Sequence, residues 1–310
     1  MRKSTGAGRF APSPTSELHL GNIRTAILAW LFARSTDRRF LLRIEDLDRV
    51  RAGAEHAQIR ELLASGLSWD GSVTRQSDSS HRYATAIESL NRDGLLYECF
   101  CTRRDIAEAS SAPHAVPGIY PGACRGLGDA ERARLRLARP PALRLKADVG
   151  TWTVADEILG EYTGPVDDLV IRRNDGVPSY NLAVVIDDAA QGVDQVVRGD
   201  DLLSSSPRQA YLGQLLGLPA PRYAHVPLAV NAQGQRLAKR DGAVTLEDLA
   251  SKGLGALRVR DIILGSLGLP AGSLAAALRA FDPAQLPREP WIVTATTLFS
   301  TGTPSVTPNR

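Results

Sequence analysis

Residues 7–44 constrain the fold more tightly than any other stretch of the chain. Residues 7–14 read as a strand that ends in a Pro-rich turn. Residues 22–34 follow as a helix with Ile23, Ala26, Ile27, Trp30 and Leu31 on one face, and 39–44 form a compact apolar strand. A strand apolar on both faces must be covered on both, as in a parallel sheet with crossover helices. A further helix is predicted over 54–68. The strand–helix–strand–helix order predicts an α/β fold built on a doubly wound parallel sheet.

The centre of the chain breaks this rhythm. Residues 97–165 mix cysteines, Pro, Gly and an Arg-rich helix, and read as an insertion between two halves of the sheet. Alternation resumes at 168–172, 178–186 and 193–197; Ser206-Pro207 reads as the N-cap and first residue of a helix reaching Leu216. A strand at 225–230 leads into a polar loop at 231–242, and short helices follow between 246 and 281. The resulting division is 1–96 and 166–244 as the two halves of the sheet domain, with 97–165 inserted between them. Residues 245–293 form a short helical region, and 294–310 form a disordered tail rich in Thr, Ser and Pro.

Composition excludes some classes of function. A net charge of +3 does not announce a nucleic-acid binder, although a pI near 8.9 permits a local basic face. Residues 1–16 lack the apolar core of a secretory signal, and no run of about 18 apolar residues is present to cross a membrane. The 3 cysteines, all between 99 and 124, point to a reducing cytoplasm and a metal site.

Two segments carry the chemistry. In 12–22 (PSPTSELHLGN) a strand ends, the chain turns, and His19 and Gly21 sit at the mouth of a helix. A helix N-terminus presents free N–H groups and partial positive charge, which suits a triphosphate, and His19 can donate to a phosphate oxygen. Taken alone, His-x-Gly is more often a turn that contains a histidine. In 234–242 (GQRLAKRDG) a loop flanked by glycines holds three cations in five residues, Arg236, Lys239 and Arg240. Such a loop can close over ATP and bring Lys239 to the phosphates, or it can be a solvated basic loop.

Together these segments resemble the class I aminoacyl-tRNA synthetases, and specifically their glutamyl branch. RFAPSPT–LHLGN is similar to the HIGH segment, and 234–242 to the KMSKS loop. RIEDLD at 43–48, the segment ending 180–188, and VVRGDDLL at 196–203 follow in that branch's order, over about residues 8–293. The resemblance implies a Rossmann-type catalytic core, a zinc-containing insertion at 97–165 that contacts tRNA, and short C-terminal helices at 245–293 that contact its stem. It implies a glutamate pocket in which Arg9 and Arg198 bind carboxylates, Ala11 and Ser13 line the strand end, Glu45 holds the α-ammonium and Tyr180 faces them. His19 and Lys239 are implied as catalytic, with Gly21, Asn22 and Arg236 joining them around ATP. The loop departs from the pattern at Arg236 and Ala238, and Ser16 replaces a glycine before the histidine.

Cys99, Cys101 and Cys124 need one further donor for tetrahedral zinc. Chemistry favours His114; the GIYPGACR segment resembles that of glutamyl-Q tRNA(Asp) synthetases, which implies Tyr120. About 50 residues follow the loop before the polar tail, too few for the helical anticodon-binding region of an ordinary glutamyl enzyme. Val184 stands where that enzyme tends to have asparagine. The expected function is therefore ATP- and Mg²⁺-dependent activation of L-glutamate, then transfer to queuosine in the anticodon stem-loop of tRNA(Asp). A cytoplasmic monomer is expected. The alternatives are a shortened glutamyl-tRNA synthetase charging the 3′ end of tRNA(Glu), and a non-catalytic RNA-binding module.

Overall fold

The computed structural model describes residues 6–102, 104–106, 119–237 and 245–299. Its main sheet has seven strands in the order β3-β2-β1-β9-β10-β6-β7. These are β1 (Ala7–Phe10), β2 (Arg39–Ile44), β3 (Thr74–Arg75), β6 (Thr151–Asp156), β7 (Gly160–Pro165), β9 (Val193–Gly199) and β10 (Arg222–Val226). Neighbours from β3 to β6 pair in parallel, and only β6 and β7 are antiparallel. From β1 the chain steps outward to β2 and β3, and from β9 it steps the other way to β10, beyond which lie the earlier strands β6 and β7. The carboxyl ends of β1 and β9 therefore flank a topological switch point, where open α/β sheets bind ligands.

Helix α1 (Leu20–Ser35) crosses from β1 to β2 and is buried over most of its surface. The sheet covers one side. The C-terminal helices α7 (Leu246–Ser251), α8 (Ala256–Ser266) and α9 (Leu274–Ala280) close the other, with Phe32 edge-on to Phe281 at 5.2 Å. Helices α2 (Ala54–Ala64), α3 (Ser80–Arg92), α5 (Tyr180–Gln191) and α6 (Ser206–Leu215) cover the remainder. A second, antiparallel sheet joins β4 (Leu96–Cys99), β5 (Ala142–Leu145) and β8 (Val170–Arg172), and α4 (Asp129–Ala138) leads into β5.

The doubly wound α/β class is observed, with several local departures. The first strand stops at Phe10 instead of 14, because Pro12 and Pro14 have no N–H for a ladder. Their carbonyls instead accept from Glu45 N and Arg51 N, both at 2.9 Å. The first helix begins at Leu20, two residues before the expected start, since His19 caps it. The apolar run at 225–230 is split at Pro227 into β10 and β11 (Ala229–Val230). Ser206 is not the cap of α6 but lies within it; its hydroxyl is used elsewhere.

Two boundaries also move. The expected insertion includes the hairpin 151–165, yet β6 and β7 extend the main sheet, and the β4–β5–β8 sheet packs against α3, α5 and α6 in a shared core. The tail expected to be disordered from 294 instead continues as α10 (Ala295–Phe299), whose Leu298 is buried in the main core. Just before it, β12 (Trp291–Ile292) pairs in parallel with β11 and so fastens the C-terminal segment beneath the loop that follows Val230. Residues 300–310 lie outside the described residues.

Candidate active site

The cleft at the switch point holds about 860 Å³ of empty space, counting the part open to solvent. Its lining includes Arg9, Ala11, His19, Gly21, Asn22, Glu45, Tyr180, Arg198 and Arg236, residues brought together from both halves of the chain. Ser13 is not among them. It is exposed, and its carbonyl accepts from Gln58 Nε2 at 3.0 Å, because the Pro-rich turn carries it past the end of β1. Lys239 and Ala238 lie outside the described residues. The ends of their segment are placed: Leu237 lines the cleft, and Thr245 pairs with His19.

At the mouth of α1, His19 and Asn22 form a reciprocal cap. Asn22 N donates to His19 Nδ1 at 3.2 Å, and His19 N donates to Asn22 Oδ1 at 3.0 Å. An accepting Nδ1 leaves the proton of a neutral imidazole on Nε2. Burial, and then the charge of Arg236, lower the His19 pKa from 6.5 to about 4, so the ring is neutral at pH 7. Gly21 makes room for this cap: a Cβ there would stand 3.1 Å from the imidazole. The result is a neutral N–H donor beside the free N–H groups of a helix N-terminus, an arrangement suited to phosphate oxygens.

Behind the opposite wall lies a buried charge cluster. Arg9 Nε donates to both oxygens of Asp188, at 3.1 and 3.2 Å. Arg43 reaches Asp188 at 2.7 Å, Glu45 at 3.3 Å and, more loosely, Asp187 at 4.0 Å. Burial opposes ionisation of Asp188, but Arg9 and Arg43 together hold its carboxyl below the usual range. For Glu45 burial wins, and its pKa is raised despite Arg43 and Arg9. Two guanidiniums against three carboxylates leave one negative charge in excess when all are ionised. Of the three carboxylates, Glu45 is the one that lines the cleft, so the cluster presents a place for a small cation.

On the far side Arg198 projects from the end of β9. Gly199 beside it permits close packing, since a Cβ there would meet Leu228 at 2.7 Å. Arg236 forms an ion pair with Asp201 at 2.6 Å across the cleft rim. The cleft thus offers an anion-excess pocket, guanidiniums for carboxylates and a donor-rich helix end. An α-amino acid with an acidic side chain and a nucleotide triphosphate match those three features.

Three cysteine sulfurs form a separate cluster within 4.8 Å of one another. Tyr120 Oη lies 3.3 Å from Cys99 Sγ and 3.6 Å from Cys101 Sγ, and Cys101 and Cys124 sulfurs are 3.5 Å apart. Tetrahedral zinc with thiolate bonds near 2.3 Å needs sulfur–sulfur separations of about 3.8 Å, so the three sulfurs are compatible with it, and Tyr120 Oη stands beside two of them. Burial pushes the Cys101 thiol up to about 12, a state that a bound cation would reverse. His114 lies outside the described residues. Zinc here would brace the β4–β5–β8 unit and take no part in bond making. Cys124→Ala is expected to lower bound zinc from about one per chain to near none and to expose this unit to protease. Metal analysis with limited proteolysis reads both, and undiminished zinc would refute the ligand set.

Several residues escaped the sequence reading. Asp188, Arg43 and Asp187 organise the charge cluster, and Ser206 and His225 bind Arg198, with Asp156 behind His225. The Asp187-Asp188 pair inside an otherwise apolar helix was the available signal; for His225, in an apolar strand, none distinguished a partner from a packed ring.

Residues 7–274 match the family model described as tRNA synthetases class I (E and Q), catalytic domain. The chain is 61% identical over 290 residues to a glutamyl-Q tRNA(Asp) synthetase of Nocardia farcinica, covering 93% of each. It is 52% identical over 269 residues to one from Cutibacterium acnes, covering 85% of this chain and 76% of that one. Among solved structures, a glutamate tRNA ligase from Elizabethkingia meningosepticum in complex with its amino acid superposes with a TM-score of 0.79 at 26% identity. That superposition covers 95% of this chain and 68% of the other.

Proposed function

The chain belongs to the class I tRNA synthetase family of the E and Q type, ligase-type enzymes, and on that premise we propose that it activates L-glutamate with ATP and transfers it to queuosine in tRNA(Asp). The observation that carries the glutamate reading is the single cleft that combines the anion-excess Glu45 pocket, the Arg198 guanidinium and the His19-capped helix end. Glu45 would hold the α-ammonium while Arg9 and Arg198 hold carboxylates, with Ala11 and Tyr180 as walls.

In the first step a glutamate α-carboxylate oxygen attacks the α-phosphorus of ATP, and pyrophosphate leaves. His19 Nε2–H, the N–H of Gly21 and Arg236 would stabilise the charge that develops on the phosphates, with Asn22 holding His19 in place. Lys239 is proposed to join them, since its segment starts at cleft-lining Leu237 and returns at Thr245 beside His19. Mg²⁺ bound with ATP would neutralise part of the triphosphate charge.

In the second step a hydroxyl of the queuosine cyclopentene ring attacks the activated carbonyl, and AMP leaves. The names of the relatives support this acceptor. The exposed α4, with Arg134 toward solvent, Arg132 paired with Asp129 at 3.2 Å and Arg136 bound to Glu98 at 2.8 Å, is proposed as part of the RNA-facing surface. Residues 245–293 are proposed to contact the tRNA stem.

The deciding experiment supplies labelled glutamate, ATP and the pure protein with either queuosine-containing tRNA(Asp) or tRNA(Glu). Label stable on tRNA(Asp) alone, and lost when queuosine is absent, is expected. Label on the 3′ end of tRNA(Glu) alone would instead establish a shortened glutamyl-tRNA synthetase. No glutamate-dependent pyrophosphate exchange at saturating ATP would leave a binding module.

A further inference from the structure

Arg198 is held by an unusually complete set of buried acceptors. Its Nε donates to His225 Nε2 at 3.2 Å, its Nη1 to Gln209 Oε1 at 2.8 Å, and its Nη2 to Ser206 Oγ at 2.8 Å and Leu202 O at 3.4 Å. Four of the five guanidinium N–H donors are thereby committed to described residues, and one on Nη1 is left over for a ligand. Ser206, His225 and Asp156 are all buried, at 0%, 1% and 5% exposure.

The protonation pattern follows from Arg198 itself. A guanidinium cannot accept, so His225 Nε2 must, and the imidazole proton sits on Nδ1. Nδ1 then donates to Asp156 Oδ2 at 2.6 Å, and the same oxygen accepts from His225 N at 3.1 Å. The other Asp156 oxygen accepts from the backbone N–H groups of Ile158 and Leu159 at 2.8 and 2.9 Å. Asp156 is therefore fixed by the β6 turn, and it fixes the ring of His225. Burial and Arg198 lower the His225 pKa, consistent with a neutral ring. Tyr223 stacks nearly parallel on that ring at 5.7 Å, and Arg198 lies over Tyr223 at 5.3 Å.

We propose that His225, oriented by Asp156 and seconded by Ser206, is the positioning residue that aims the free N–H of Arg198 at a carboxylate of the substrate. This rests on the glutamate reading above. The Asp156–His225–Ser206 order has the spacing of a hydrolytic triad, since Ser206 Oγ is 3.0 Å from His225 Nε2. It does no such chemistry here: the hydroxyl is fully buried and already accepts from the guanidinium, so it neither meets an acyl group nor becomes a nucleophile. Its role is to supply an acceptor where a charged donor would otherwise rotate.

Glutamate-dependent pyrophosphate exchange tests this with the full chain. His225→Phe keeps a flat ring and removes the acceptor. The expected result is a glutamate KM higher by about 10- to 100-fold, the range for losing a hydrogen bond to a charged group, with the ATP KM within about twofold. His225→Gln, which restores an acceptor near the Nε2 position, should recover part of the loss, and Ser206→Ala should raise the glutamate KM by about 3- to 10-fold. Thermal melts identify which variants are folded; if His225→Phe is not, His225→Gln and Ser206→Ala decide. Folded variants with a glutamate KM equal to the unmutated chain would overturn the positioning role alone. An unmutated chain that shows no glutamate-dependent exchange would overturn the functional reading and this role with it.

Discussion

Glu45→Gln is expected to raise the glutamate KM at least about a hundredfold while leaving the ATP KM nearly unchanged. The amide keeps the shape of Glu45 and an oxygen for Arg43, which stays bound to Asp188 at 2.7 Å and Gln191 at 2.7 Å. What is lost is charge. With Glu45 neutral, two guanidiniums face two carboxylates, and the excess that attracts the α-ammonium is gone. Leaving a buried charge without its partner costs about 3–5 kcal/mol, enough for two or more orders of magnitude in binding. Pyrophosphate exchange at varied glutamate measures it, and a KM within threefold of the unmutated chain would rule out Glu45 as the ammonium site.

The His19 substitutions should act on turnover instead. His19→Ala is expected to lower the pyrophosphate-exchange kcat by about 10²–10³, the usual consequence of losing one transition-state donor. It should also remove the cap of α1, at about 0.5–2 kcal/mol of stability. His19→Asn separates the two effects: its shorter side chain still caps but does not reach the phosphates, so stability should recover and kcat should not. The neutral ring adds a pH signature. With the folded pKa depressed to about 4, His19 stays an uncharged donor from pH 8 down to pH 5 and contributes no inflection to kcat there. The unfolded ring takes up its proton near 6.5, so the folded state loses stability as pH falls from 6.5 toward 4. An inflection in kcat near 6.5 that vanishes in His19→Asn would contradict this account.

Some parts of the site were readable because they are local. His19, Gly21 and Asn22 lie within four residues, and their geometry is that of a strand end and a helix start. The cysteines and Tyr120 lie within a short segment, so their proximity needed little from the rest of the fold. Arg9, Glu45, Tyr180 and Arg198 were legible only as a set resembling a known family. Nothing in their local sequences relates β1 to β9, which are separated by about 180 residues and become neighbours only through sheet pairing.

The sequence by itself determined the doubly wound core, the helix at its first crossover and the cysteine cluster, because strand period, helix period and thiol spacing are short-range properties. The tertiary structure alone decided which charges are paired. Arg43, Asp188, Asp156, Ser206 and His225 look like ordinary core or cap residues until β10 and α6 are packed beside β9 and α5 beside β2. Ser13 shows the converse: its place in the motif predicted a pocket residue, but the proline turn directs it to solvent. A buried charge is tolerated only where partners converge on it from several elements, and that convergence is a property of the packed fold, not of any segment.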